Sequence, residues 1–247
     1  MRDLHNYSNE YINQPFEAYQ VEYRKRLVLD IIKKNNHKTI LEVGCAVNPL
    51  FEFFTDFEWL TILEPSKLFY DKTVDDIAKQ NLGDKVEIFN NFFEDAIETV
   101  DCRSYDLIII SALIHEINDL KSFFTRLKEL VKTGTVVHID VPNGNSLHRL
   151  LAVEMGLIKS QMELSDFNIQ FQQNRVFDLI TLEKLVTDYD FSVIEKGSYF
   201  LKPFTHSQMQ KIMDNNIIDT QVLDGFYNLI KYFPDFGSEI YINFKKN

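Results

Sequence analysis

Thr39-Ile40-Leu41-Glu42-Val43-Gly44-Cys45-Ala46-Val47-Asn48-Pro49, followed by Leu60-Thr61-Ile62-Leu63-Glu64, is the stretch that decides the fold. Residues 39–43 are short, β-branched and apolar, the pattern of a strand buried on both faces. Gly44 then permits a positive φ and a close backbone approach. Ala46 is nearly as small, and Asn48 tolerates a left-handed conformation. Twenty residues after Gly44, at the end of a second strand, stands Glu64. A carboxylate there can accept hydrogen bonds from both hydroxyls of a ribose.

Working outward, Phe16, Tyr19, Tyr23, Leu27 and Ile31 recur at helical spacing and predict a helix from about Pro15 to Lys34. A helix-like stretch runs from Asn48 to Phe57, and a stronger one from Ser66 to Asn81. Lys85 to Asn90 reads as a third strand and Tyr105 to Ser111 as a fourth, the most hydrophobic in the chain. Leu120 to Lys132 is an amphipathic helix closed by Gly134 as its C-cap, and Thr135 to Val141 is a fifth strand. Strands alternating with helices imply a parallel sheet with right-handed crossovers, whose ligand lies beyond the carboxyl ends of the strands. After Pro142 the rhythm breaks into helical and irregular sequence up to Arg175. A helix at Thr181 to Tyr189, a strand at Phe191 to Glu195 and a closing strand at Glu239 to Phe244 follow. The expected division is a helical cap over 1–37, a nucleoside-binding core over 38–145, a covering insertion over 146–177 and a completion of the sheet over 178–247, all in a single domain.

Composition narrows the function. The 247 residues are 45% hydrophobic, enough for one large domain. Only 8 are Gly, where average usage of about 7% would give roughly 17, so glycine-rich linkers are excluded and a glycine at a motif position weighs more. Lys+Arg 26 against Asp+Glu 37 leaves a net charge of −11, and no basic patch offsets it, so neither nucleic acid nor an anionic membrane is an expected partner. Cys45 and Cys102 lack disulfide or zinc spacing, and no metal site is expected. The start lacks the features of a signal peptide, and Leu107 to Ile114 is too short to span a bilayer, which leads to the expectation of a cytoplasmic protein. Paired carboxylates, a nucleophile elbow and a Walker loop are all missing, so hydrolase and kinase chemistry lack their required residues.

LEVGCAVNPLFEFF (41–54), ILEPS (62–66) and YDLIIISALIHEINDL (105–120) together resemble the class I S-adenosylmethionine-dependent methyltransferase family. VPNGNSLHRLLAVEMGLI and FPDFGSEIYINF look like its bacterial small-molecule branch. The resemblance implies a doubly wound, Rossmann-like α/β fold with a mostly parallel seven-stranded sheet and a terminal antiparallel strand. It makes Glu42 and Gly44 the start of the loop that receives the methionine end of S-adenosylmethionine, with Ala46 and Asn48 in place of further glycines. Glu64 would hold the ribose, with Pro65 and Ser66 flanking the adenine. Asn91, Phe92 and Phe93 would border the adenine, and Ser111 and Ala112 would face the methionine and its methyl group. The acceptor it implies is a small polar metabolite methylated on a hydroxyl or phosphate-type oxygen, with a surface-carbohydrate or capsule precursor the first to try.

Methyl transfer from a sulfonium asks chiefly for alignment and desolvation of the nucleophile. His115, just past the fourth strand, is the candidate base, with Glu116 to orient it; the competing reading makes it a helix cap. His138, inside the fifth strand, reads as a packed residue. Asn143, His148 and Arg149 follow the fifth strand and could bind a polar or anionic acceptor, unless Ser146 caps a helix that carries them outward. Arg175 is a candidate anion clamp or a partner of a surface carboxylate. Tyr11, Tyr19, Tyr23 and Arg24 form either a lid, with Tyr23 reaching the acceptor, or core packing. Two other readings stay open: an NAD-dependent oxidoreductase, which shares the Gly44 to Glu64 spacing but is weakened by Pro49, and a non-catalytic nucleoside-binding protein, favoured by Ala46 and Asn48. Monomer and homodimer are equally open.

Overall fold

β1 (Thr39–Val43), β2 (Trp59–Leu63), β3 (Val86–Phe89), β4 (Leu107–Ser111) and β5 (Val136–Pro142) are the parallel strands that the apolar runs predict. With β6 (Phe191–Tyr199) and β7 (Glu239–Lys246) they form one seven-stranded sheet, in the order β3-β2-β1-β4-β5-β7-β6, in the computed structural model, which describes residues 3–100 and 102–247. β7 lies between β5 and β6 and is antiparallel to both, so the expected fold class holds. Strand order reverses at β1, where β2 lies on one side and β4 on the other. The carboxyl ends of β1 and β4 therefore splay apart and leave a crevice.

Both faces of the sheet are covered. On one face, α4 (Phe93–Val100), α5 (Leu120–Leu130) and α8 (Leu179–Asp188) press Ile97, Phe123, Leu127 and Leu182 onto Ile108, Ile110 and Ile139. On the other, α2 (Glu17–Asn35) and α3 (Lys67–Lys79) pack Val28, Ile32 and Ile77 against Ile40, Leu60 and Ile109. A third cluster, Phe16, Tyr23, Phe200, Met209 and Leu223, ties α2 to α9 (His206–Asp214) and α10 (Thr220–Asn228). Tyr23 is thereby corrected from acceptor contact to packing residue: its ring stacks on Phe200 at 4.4 Å and its hydroxyl donates to Asp224 at 3.1 Å.

Two local expectations also change. The stretch from Asn48 to Phe57 forms only a 3-10 turn, Leu50–Glu52, because Pro49 is extended at φ −61, ψ 153 and the Leu50 N–H goes to Glu42 Oε2 at 2.9 Å. Gly134 does not cap α5, which ends at Leu130 with Val131 extended; its φ of +96 serves the turn before β5. α1 (Leu4–Ile12), α6 (Leu147–Glu154) and α7 (Asp166–Gln170) complete the elements around the crevice. Among the described residues no helix is long and apolar enough to cross a membrane. Both cysteines are free thiols, Cys45 buried and Cys102 exposed.

Candidate functional site

The crevice is built from backbone in the left-handed region: Gly44 at φ 79, Ala46 at φ 48 and Ala112 at φ 49. Small side chains at these bends let the chain turn away from the strand ends and expose its amides. Glu64 gathers those amides. Its Oε2 accepts from the Cys45 N–H at 3.1 Å and the Ala46 N–H at 3.0 Å, and its Oε1 from the Ser66 N–H at 2.8 Å. Burial pushes the Glu64 carboxyl up to about 7, against the pull of these hydrogen bonds. Glu42, on the neighbouring strand, is spent differently: Lys25 Nζ donates to it at 2.7 Å and the Leu50 N–H at 2.9 Å, so it braces the loop from beneath and does not line the cleft that Glu64 borders. Around Glu64, Pro65, Ser66 and Ser111 lies a cleft of about 80 Å³ with Phe69 as one wall.

The donor set fits a nucleoside. Glu64 Oε1 accepts a single N–H and keeps a lone pair for a ribose hydroxyl. The cleft is nonetheless far smaller than the few hundred Å³ usual for such a ligand. α1 takes the remaining room: Leu4, Tyr7 and Tyr11 line the cleft, and the Ser8 hydroxyl bonds the Ser66 hydroxyl at 2.7 Å.

A second cavity, of about 420 Å³, shares Tyr7, Tyr11, Arg24, Ala112 and Glu116 with the cleft. His115 and Glu116 stand on its rim just past β4, both buried, with His115 Nε2 3.7 Å from Glu116 Oε1. Asn174 fixes their turn: its N–H donates to the His115 carbonyl at 2.8 Å and its side-chain amide to the Glu116 carbonyl at 2.7 Å. Arg24 sits in a nest of carboxylates, donating to Glu239 at 3.0 Å and to Glu17 at 3.2 Å, with Asp140 at 3.4 Å. Burial alone would raise the Glu17 carboxyl, but Arg24 and His206 outweigh it and hold it at about 2. A buried guanidinium between carboxylates is a rigid array, since breaking any one pair strands a charge.

Of the residues expected from the sequence, Gly44, Ala46, Glu64, Pro65, Ser66, Ser111 and Ala112 line the cleft, while His115, Asn143, His148 and Arg149 line the larger cavity. Asn143 and Arg149 are already occupied. The Asn143 amide donates to the Asp235 and Gly237 carbonyls at 2.9 and 2.8 Å, and Arg149 Nε donates to the Gln161 carbonyl at 2.8 Å. They order the walls of the cavity.

Arg175 is corrected in the same sense: it donates to the Ile117 and Asn118 carbonyls at 2.9 and 3.2 Å and, with Asn174, clamps the turn after β4. Phe93 faces the core, 4.7 Å from Phe123, because α4 starts there and turns its apolar face inward. Asn91 is exposed and Phe92 half-buried, and neither lines the cleft. Asn90 is the residue that reaches back, donating to the Glu64 and Pro65 carbonyls at 2.9 and 3.1 Å. Tyr11 and Arg24 do lie between the two cavities, whereas Tyr19 joins Tyr23 in the aromatic cluster. His138 is fully buried, bonded to Asn243 at 2.7 Å and Asp140 at 3.1 Å.

Sequence reading missed Glu17, Lys202, His206 and Glu239. Thr205-His206-Ser207-Gln208 carried a signal, a capping box that announces the start of α9. Nothing local distinguishes the other three.

Residues 16–196 match the model of a methyltransferase domain family. No curated protein matches the chain closely enough to count as a relative. Among solved structures, the N-methyltransferase NodS from Bradyrhizobium japonicum in complex with S-adenosyl-L-homocysteine is similar, with a TM-score of 0.54 and 11% identity over 95% of this chain and 89% of that one. An S-adenosylmethionine-dependent methyltransferase from Clostridium acetobutylicum gives 0.54 and 12%, covering 92% of each chain. One from Archaeoglobus fulgidus gives 0.53 and 15%, covering 94% of this chain and 99% of that one. At these identities the likeness shows the fold, and the family match carries the assignment. The dehydrogenase and non-catalytic readings find no support. The single 3-10 turn after Pro49 offers no helix N-terminus to a pyrophosphate. The chain belongs to the methyltransferase domain family, and its fold is the class I, Rossmann-like one of the S-adenosylmethionine-dependent methyltransferases it is similar to.

Proposed function

We propose that the chain methylates an oxygen of a small polar metabolite held in the 420 Å³ cavity, with His115 as the base. The observation that carries this reading is the rim shared with the cofactor cleft, where Ala112 and Glu116 border both cavities and His115 lies between them in sequence. When bound, S-adenosylmethionine supplies a methyl group on a positively charged sulfur, a good leaving group. The task left to the protein is to aim the acceptor oxygen and relieve it of its proton as the new C–O bond forms. His115 takes that proton, Glu116 steadies the charged ring, and Asn174 holds the turn on which both sit. The aromatic walls Tyr7, Tyr11, Phe167 and Phe171 keep water from the reacting oxygen.

A concave cavity lined by α1, α7 and the C-terminal elements suits a metabolite better than a polymer. Hydroxyl or phosphate-type oxygens of surface-carbohydrate or capsule precursors are the first acceptors to screen, by release of S-adenosylhomocysteine. With an acceptor in hand, His115→Ala is expected to lower kcat about 10²-fold or more while leaving S-adenosylhomocysteine affinity unchanged. Full turnover by that variant would remove the base from the mechanism.

A further inference from the structure

Lys202 is 1% exposed, yet no carboxylate among the described residues lies within ion-pairing distance of its ammonium. Its Nζ meets His206 Nδ1 at 2.9 Å. An ammonium only donates, so Nδ1 accepts and the His206 proton sits on Nε2, 3.6 Å from Glu17 Oε2. Glu17 is in turn taken by Arg24 at 3.2 Å, and Glu239 by Arg24 and the Tyr199 hydroxyl. The carboxylates of this region are therefore matched to Arg24, and the ammonium is left with donors to spare. His148 stands on the same wall with its Nδ1 buried and without a partner. His206 and Ser207 open α9 there, and first-turn amides have no acceptor inside their own helix. Phe167 stacks on the His206 ring at 5.9 Å and 14° and fixes its plane. The proposed methyl transfer at Ala112, His115 and Glu116 uses none of these groups.

We propose that Lys202 and His148, with the first turn of α9 and with His206 positioning the Lys202 ammonium, form a subsite that binds an oxyanion, a carboxylate or phosphate group carried by the methyl acceptor. The subsite deepens the proposed function and rests on the larger cavity being the acceptor site. An oxyanion supplies the counter-charge that Lys202 lacks and takes charge-assisted hydrogen bonds from it. Burial holds the Lys202 ammonium down at about 8 and keeps His148 well below the ordinary histidine range. A bound anion reverses both effects, and the protonated His148 ring then donates from Nδ1. Lys202 and His148 thus anchor one end of the acceptor, with His206 orienting the ammonium, which leaves the nucleophilic oxygen of the acceptor to reach the rim.

The test is isothermal titration of the full-length protein with inorganic phosphate and, separately, with acetate, in a buffer free of other oxyanions. At least one of the two is expected to bind saturably, and Lys202→Met to weaken it about tenfold or more. His148→Gln should weaken it as well, while Lys184→Met on the exposed face of α8 leaves it unchanged. Tighter phosphate points to a phosphate ester as acceptor, and tighter acetate to a carboxylate. S-adenosylhomocysteine binding, measured on the same samples, reports the fold and the cofactor site independently. If Lys202→Met loses it, His148→Gln carries the comparison. Absence of binding of both anions to the unaltered protein, or equal binding to the unaltered protein and the variants, overturns the subsite. Loss of S-adenosylhomocysteine binding from the unaltered protein overturns the methyltransferase reading and leaves the anion result standing.

Discussion

Glu42 and Glu64 are acids at the ends of adjacent strands, and their surroundings give them opposite work. Glu42 is neutralised by Lys25 and holds the loop, whereas Glu64 takes backbone amides and the Cys45 thiol, has no cationic partner among the described residues, and faces the cleft. Its carboxyl titrates at about 7 because burial outweighs those amides. Ribose hydroxyls donate to the ionised form, so binding favours deprotonation. S-adenosylhomocysteine affinity should therefore rise as pH rises through about 7 and weaken below it, by up to tenfold per pH unit. Titrations on either side of that value check this, and Glu64→Gln should flatten the profile; a sloping profile in the variant would assign the dependence elsewhere. Gly44, Ala46, Glu64 and Ala112 were legible in the sequence because their role depends on position relative to a strand end, which local pattern encodes. Tyr23, Phe93 and Arg175 were not, because the side of a helix or loop they face is set by partners distant in sequence: Phe200, Phe123 and the turn after β4.

Elements follow the same division. The strands β1 to β5 could be read directly, since a parallel sheet covered on both faces needs short, continuous apolar runs. The 3-10 turn after β1 could not, because one buried hydrogen bond, from the Leu50 N–H to Glu42, stops a helix that periodicity alone would continue. α9 and α10 went unread although both are amphipathic, and they bury little, Met209 and Leu223 alone being fully covered. α1 carries a consequence for cofactor binding. It closes a cleft of about 80 Å³ and is tied to the far wall by the hydroxyl pair Ser8 and Ser66 at 2.7 Å. Admission of a nucleoside requires that pair to open. Ser8→Ala should speed S-adenosylhomocysteine association roughly 2- to 10-fold, the kinetic equivalent of one modest hydrogen bond. Stopped-flow rates identical to those of the unaltered protein would show that α1 does not gate the cleft.

At the scale of the whole molecule, the reversal of strand order at β1 places the cleft proposed for the cofactor, and late elements of the chain line the neighbouring cavity proposed for the acceptor. Four of the 37 acidic residues, Glu17, Glu239, Asp140 and Glu116, surround Arg24 and His115 and form an ordered array beside the site. The scarcity of glycine is likewise resolved, because Ala46 and Ala112 adopt the left-handed turns at φ 48 and 49 that glycines would otherwise supply. The central claim is that this crevice binds S-adenosylmethionine through Glu64. Calorimetric titration of S-adenosylhomocysteine into the full-length protein and into Glu64→Ala tests it most directly. One site per chain is predicted for the unaltered protein, with affinity at least about tenfold weaker in the variant, the loss of a charge-assisted hydrogen bond. Equal affinity in the two proteins, or no binding to either, would contradict it.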